Sequence, residues 1–202
     1  MKKTIILGTR NRGKVREFQD LLGSEEFTLR SWQDLSQPVS VVEDGKTFLE
    51  NALKKARITA QVAGEIALAD DSGLEIEFLQ GRPGIYSARY AGPEATDEEN
   101  YRRILAELNG VPDEQRGARF VCVIALCTPD GKEEWVEGDC RGFITEAPVG
   151  EQGFGYDPVF FYPPYGRTFA QLSTEEKNRV SHRAEAIRKL RPVLSKYLDS
   201  KE

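Results

Sequence analysis

The run Ile66-Ala67-Leu68-Ala69-Asp70-Asp71-Ser72-Gly73-Leu74-Glu75-Ile76 sets two adjacent aspartates directly behind an apolar segment. Ile66 to Ala69 reads as a short buried strand. An ionised carboxylate withdrawn from water costs several kcal/mol or more unless a cation or strong donors meet it, and two neighbouring carboxylates also repel. The pair is tolerated where a cation, hydrogen-bond donors or an open cleft compensates. Ser72-Gly73 predicts a sharp turn at the strand end. The aspartates would then stand at the edge of a sheet, where open α/β folds place their ligands. The alternative is an Asx-type turn with two solvated aspartates.

Upstream, Thr4–Leu7 reads as a buried strand and Gly8–Gly13 as a polar turn. A helix follows, with Val15, Phe18, Leu21 and Leu22 on one face. Val39–Val42 is expected to be a second short strand. Thr47 and Glu50 have the spacing of a capping box. They open a helix with Phe48, Ala52, Leu53, Ala56 and Ala60 on one face, stopped by Gly64. Downstream, Leu74, Ile76 and Phe78 alternate with glutamates as a half-exposed strand. Arg82–Pro93 is a loop rich in glycine and proline, and Thr96 with Glu99 is a second capping box. Arg119–Cys127 and Glu134–Thr145 form a hairpin across the turn Thr128-Pro129-Asp130-Gly131. Gly150–Gly166 is a long loop interrupted by Val159–Tyr162. Ser173 starts a short helix, and Ser181 caps a last one with Ala184, Ile187, Leu190 and Val193 facing inward. Crossovers mixed with one hairpin argue for an α/β fold with a mixed sheet.

The 202 residues carry a net charge of −5. That balance does not suggest a face for duplex nucleic acid. Three cysteines without a CxxC pair and one histidine argue against a zinc site or a disulfide framework, and fit a reducing compartment. The apolar run Ile5-Ile6-Leu7 is too short for a signal peptide or a membrane span, so a cytoplasmic protein is expected. No repeat, low-complexity tract or linker divides the chain, and a single domain over 1–202 is expected.

Several groups can carry chemistry. Gly8-Thr9-Arg10-Asn11-Arg12-Gly13-Lys14 lies between strand and helix, where backbone amides and the helix N-terminus attract anions and Lys14 adds a point charge. The spacing also matches the start of a P-loop, but the next residue is Val15 where serine or threonine would hold the metal. Glu43 or Asp44 can complete a metal site with Asp71, because Mg²⁺ needs only one or two protein carboxylates plus phosphate oxygens and water. Asn51 and Lys55 share one helix face, and Glu50 with Lys54 forms a neighbouring pair. Gly153-Phe154-Gly155-Tyr156-Asp157-Pro158 flanks a ring with glycines, which lets a flat ligand approach. Stacking on such a ring contributes roughly 1–3 kcal/mol, and Asp157 can accept from a base N–H. Lys177, His182 and Arg183 cluster near the last helix junction. A cation in the first turn opposes the helix dipole, so Arg183 has no evident stabilising role there.

Taken together, these pieces resemble the inosine triphosphate pyrophosphatase family nearly end to end. The resemblance rests on Thr9-x-Asn11-x-x-Lys14, Glu43-Asp44-Gly45 with Thr47-Phe48-x-Glu50-Asn51-Ala52, and Lys55-Ala56. It continues through Ala69-Asp70-Asp71-Ser72-Gly73-Leu74, Pro83-Gly84-x-x-Ser87-Ala88-Arg89-Tyr90, Gly153-Phe154-Gly155-Tyr156-Asp157-Pro158, and Lys177-x-x-x-Ser181-His182-Arg183. One departure is Gly8, where the family more often has alanine. The resemblance implies a long curved mixed sheet with flanking helices, two lobes around a central cleft, and a homodimer. It implies Mg²⁺-dependent hydrolysis of ITP, dITP or XTP between the α- and β-phosphates, giving a monophosphate and pyrophosphate. By motif, Thr9, Asn11, Gly13 and Lys14 hold the phosphates, with Arg10 and Arg12 adding charge and Lys55 and Ser72 assisting. Glu43 and Asp71 bind the metal, with Asp70 open as a further contact, and Asp71 is the general base. Phe154 stacks on the base within Gly155-Tyr156-Asp157, while Asp157, Lys177, His182 and Arg183 read its edge. Three rivals stand beside this reading: a P-loop enzyme cleaving the γ-phosphate, a same-fold pyrophosphatase for modified pyrimidines, and a nucleotide sensor without turnover.

Overall fold

The computed structural model describes residues 2–23 and 26–198. It is an α/β protein whose seven strands run in the order β2-β1-β3-β4-β5-β6-β7 in a mixed, open sheet flanked by helices. The chain forms two compact units. The first is Met1–Asp71, Cys122–Gly138 and Arg183–Glu202, and the second is Ser72–Val121 and Asp139–His182.

In the first unit, β1 (Lys3–Leu7) leads into α1 (Arg12–Leu22). Asn11 ends the loop as N-cap, its side chain accepting from the Lys14 backbone N–H at 3.1 Å, which satisfies one of the helix's orphan donors. The strand expected at Val39–Val42 is not formed. Its place is taken by β2 (Phe27–Ser31), which pairs in parallel with β1 through Ile5 opposite Leu29. β1 pairs on its other side with β3, Ile5 opposite Ile66. Both edges of β1 are thus in use, and the Val39 carbonyl accepts from the Arg10 guanidinium at 2.7 Å instead of a ladder. Val39 is buried, while Val42 is 70% exposed.

α2 (Phe48–Ala63) starts on Thr47, whose hydroxyl accepts from the Glu50 N–H at 3.1 Å. Only half of the expected capping box forms, because the Glu50 carboxylate accepts from Lys46 N–H. Lys54 pairs with Asp44 at 2.5 Å, not with Glu50. Gly64 ends the helix in the left-handed region at φ 65°, where glycine carries no Cβ penalty. The buried stripe combines Phe48, Ala52, Ala56 and Ala60 with the polar Asn51, Lys55 and Thr59.

β3 runs unbroken from Ile66 to Ile76, so the turn expected at Ser72-Gly73 does not exist. β3 lies between β1 and β4 in the sheet; β1 pairs with its first residues, Ile66 to Leu68, and the strand continues past the end of β1. Successive strand residues face opposite ways. Leu68 joins a core of Ile5, Leu7, Phe18, Ile124, Ile187 and Leu190, which places α1 and α5 (His182–Leu198) on its side. Ala67 and Ala69 face the other side, toward α2. Leu194 completes the α5 stripe in place of the expected Val193, which is only half-buried. The spacing 187, 190, 194 keeps one helical face through Pro192.

In the second unit, α3 (Asp97–Glu107) carries the complete capping box predicted at Thr96 and Glu99. Strands β4 (Gly117–Cys127) and β5 (Glu133–Ile144) match the predicted hairpin. β6 (Phe160–Tyr162) and β7 (Arg167–Thr168) extend the sheet antiparallel, and α4 (Thr174–Val180) follows the predicted Ser173 cap. Phe78 is 47% exposed in a turn, because β3 ends at Ile76. The core gathers Leu74, Ile76, Ile104 and Leu108 around the ring contacts of Phe120, Phe160 and Phe169. Gly142 leaves no space for a Cβ beside the Phe161 carbonyl and the Phe160 ring. No helix among the described residues is long and apolar enough to cross a membrane.

Candidate active site

The pleat of β3 separates the two aspartates. Asp70 points to the α1 and α5 side, where its Oδ2 meets Lys14 Nζ at 2.9 Å and Arg183 Nη2 at 3.0 Å. Arg183 also pairs with Glu17 of α1. The guanidinium is 1% exposed. Burial works against its charge, and the flanking Glu17 and Asp70 more than offset that, raising its pKa. Arg183 therefore has a structural partner set, contrary to the sequence reading. Glu17 carried no sequence signal, being one charged residue of an amphipathic helix.

Asp71 faces α2. Its Oδ1 accepts from Lys55 Nζ at 3.1 Å and its Oδ2 from Asn51 Nδ2 at 3.1 Å. Lys55 also reaches Glu43 Oε2 at 2.6 Å, so one ammonium bridges two carboxylates. Glu43 and Asp71 thus meet on one ammonium. Burial is the largest influence on Asp71 and raises its pKa. Lys55 and Lys14 oppose that rise, and Glu43 adds to it. Burial also works to raise Glu43, but Lys55 more than offsets it and holds the pKa low. Lys55 stays firmly charged: burial disfavours its ammonium, yet Asp71 and Glu43 together raise its pKa. Two carboxyls close together thus divide into one more basic and one more acidic group. Asp44 is not part of this set, since it pairs with Lys54.

The loop between β1 and α1 supplies anion-binding groups in the same unit. The Asn11 N–H donates to Thr9 Oγ1 at 3.1 Å, and Gly13 and Lys14 sit in the first turn of α1, which carries no acidic residue. Arg10 is tied to Val39, and Arg12 is exposed. Gly8 leaves little room: a Cβ there would stand 2.9 Å from Thr59 Oγ1.

Metal binding by three or more side chains is not available, because no such group of His, Cys, Asp or Glu occurs among the described residues. Glu43 and Asp71 make a two-carboxylate oxygen set. That is within what Mg²⁺ takes from a protein when phosphate oxygens and water supply the rest.

The second unit holds the aromatic residues. Lys177 Nζ pairs with Asp157 Oδ2 at 2.6 Å and lies 4.8 Å from the Phe154 ring centre. Asp157 also accepts from the Phe154 N–H at 3.0 Å. Gly153 sits at φ 80°, and any Cβ would collide with the Asp157 carboxylate, so glycine is required there. The Gly155 N–H donates to Asp97 at 2.7 Å, a contact with no sequence signal across 58 residues. The Tyr156 hydroxyl donates to the Ser87 carbonyl at 2.6 Å, and burial raises its pKa. His182 stacks on Phe120 at 4.7 Å. Ser72 is half-buried on β3.

The Ham1 family model matches residues 5–193. A dITP/XTP pyrophosphatase of Geobacter sulfurreducens is 50% identical, covering 94% of this chain and 96% of its own. One of Bacillus subtilis is 44% identical over 95% and 97% of the two chains. Among solved structures, a HAM1 protein from Coxiella burnetii superposes with a TM-score of 0.87 at 42% identity, covering 96% of this chain and 99% of that one. A nucleoside-triphosphatase / dITP/XTP pyrophosphatase from Mycobacterium abscessus gives 0.76 at 43% identity, over 94% and 99%. With a family model matched over nearly its whole length and relatives this similar end to end, the chain belongs to the Ham1 family.

Proposed function

We propose that this chain hydrolyses non-standard purine nucleoside triphosphates of the ITP, dITP and XTP type to the nucleoside monophosphate and pyrophosphate. The observation that carries this reading is the cluster of Lys14 and Glu43 with the buried Lys55 and Asp71, in which cations for phosphate stand beside one carboxyl with a raised and one with a lowered pKa. The names of the relatives, dITP/XTP pyrophosphatase, agree with it.

In this reading Thr9, Asn11, Gly13 and Lys14 hold the phosphates through backbone amides and the ammonium, with Arg10 and Arg12 adding charge and Lys55 and Ser72 assisting. Glu43 and Asp71 would hold Mg²⁺, which when bound supplies charge neutralisation and polarises phosphate oxygens. Asp71, the more basic carboxyl of the pair, takes the proton of the attacking water, and Asn51 and Lys55 fix its two oxygens. Phe154 offers the stacking face beside Gly155 and Tyr156. Asp157, Lys177 and His182 read the base edge, while Arg183 holds Asp70 and Glu17. A pocket with donors for a 6-keto oxygen leaves a 6-amino group facing donors, which costs a few kcal/mol, or roughly 10²-fold. A single catalytic domain over 1–202, a homodimer and a cytoplasmic setting complete the proposal, without nucleic acid or membrane partners.

The test is product analysis across ITP, XTP, dITP, dUTP, methylated UTP, ATP and GTP, with and without Mg²⁺. Pyrophosphate and IMP or XMP are expected only with the metal. Orthophosphate as the sole inorganic product, or a preference for the pyrimidine nucleotides, would sink the reading.

A further inference from the structure

One buried polar side chain of α2 touches both elements that carry the carboxyl pair. Asn51 is 1% exposed. Its Oδ1 accepts from the Gly45 backbone N–H at 2.8 Å, while its Nδ2 donates to Asp71 Oδ2 at 3.1 Å. A backbone N–H can only donate, so Gly45 locks the orientation of the amide. The NH₂ end has no choice but to face Asp71. The Gly45 position is tight against the start of α2: a Cβ there would stand 2.6 Å from Asn51 Oδ1 and 2.8 Å from Glu50 Cβ. Gly45 lies two residues after Glu43, on the segment that brings Glu43 to Lys55.

We propose that Asn51 is a positioning residue that ties the Glu43–Gly45 segment to the Asp71 carboxylate, and so sets the spacing of the two carboxyls offered to a divalent cation. The proposal rests on the metal-binding part of the function proposed above. Groups that orient metal ligands through hydrogen bonds typically contribute 10–100-fold to metal affinity. Lys55 restrains the same carboxylates by charge, whereas Asn51 adds direction, because its single N–H···O contact selects one oxygen of Asp71.

The experiment is a titration of the nucleotide-free protein with Mn²⁺, followed by electron paramagnetic resonance of the free ion. Asn51→Ala is expected to weaken Mn²⁺ binding about 10-fold or more. Gly45→Ala, which pushes on the amide from the other side without touching Asp71, is expected to weaken it in the same direction. Thr47→Ala removes the N-cap of the same helix but not the bridge, and is expected to leave Mn²⁺ affinity unchanged. In turnover, the half-saturating Mg²⁺ concentration should rise in Asn51→Ala by a similar factor. Wild-type Mn²⁺ affinity in a folded Asn51→Ala protein overturns the proposal, as does equal weakening in Thr47→Ala. Should Asn51→Ala fail to fold, Gly45→Ala decides, and an unchanged affinity there overturns it. A wild-type protein that binds no Mn²⁺ also overturns it. One that binds Mn²⁺ but releases no pyrophosphate from ITP overturns the proposed activity instead and leaves Asn51 to be judged by the titration.

Discussion

The two units handle buried charge differently. In the first, Glu17, Glu43, Asp70 and Asp71 are interleaved with Lys14, Lys55 and Arg183. In the second, the Asp157–Lys177 pair is set among the rings of Phe154 and Phe169. Within the first network burial raises the pKa of Asp71, against the opposing charge of Lys55 and Lys14. Such a network suits a ligand that is itself highly charged. The second arrangement has little charge to spare and much flat surface, which suits a ring. The difference teaches that one chain accommodates polar side chains in two ways: by interleaving several opposite charges in one unit, and by setting a single ion pair among aromatic rings in the other.

Four measurements break or sharpen this contrast. The largest expected effect is in the first network. Asp71→Asn should lower kcat for ITP by 10²–10⁴-fold, roughly the contribution of a general base, with nucleotide binding retained in equilibrium titration. Near-normal kcat would remove Asp71 from its role. Next is Lys177→Met, which leaves the buried Asp157 carboxylate without its ammonium. Urea denaturation should register a loss of about 3–5 kcal/mol, the usual range for breaking a buried pair. A loss under about 1 kcal/mol, as for exposed pairs, would mean that the second unit does not depend on this charge. Phe154→Ala should weaken nucleotide binding by roughly 1–3 kcal/mol, the worth of stacking on one base, and should raise KM more than it lowers kcat. Equal loss of affinity for inorganic pyrophosphate would argue against a base-stacking role.

The smallest effect concerns pH. Asp71 has a raised folded pKa, so its contribution to stability is fully present below the ordinary carboxylate value and is lost as pH rises through the raised one. In metal-free protein, the Tm of Asp71→Asn relative to wild type should therefore climb across that window. A flat or falling difference would contradict a desolvated Asp71.

Much of the local structure was legible because it depends on near neighbours. Thr96 with Glu99, Thr47, Ser173 and Gly64 act within four residues of themselves, and the helix ends fall where they predict. The half-formed box at Thr47 shows the limit, since Glu50 had a second N–H available at Lys46. Val39–Val42 has strand-like composition, but the edge of β1 is taken by Phe27–Ser31. Ser72-Gly73 has turn-like composition but lies within the unbroken strand β3, next to β4 in the sheet. In both cases pairing between distant segments overrode local preference.

The residue types and spacings alone pointed to an α/β chain, to the Gly8–Lys14 loop, to the acidic pair and to the Phe154 segment, since each is written contiguously. Only the tertiary structure decided what the acidic pair is. A turn would have left Asp70 and Asp71 side by side and repelling each other. The unbroken β3 instead sends them to opposite faces, because successive side chains of a strand alternate. Asp70 thereby meets Lys14 and Arg183, and Asp71 meets Lys55 and Asn51, partners 16 to 113 residues away. Charge compensation between such distant positions has no signature in any window of sequence. It appears only once the sheet and its flanking helices have brought them together.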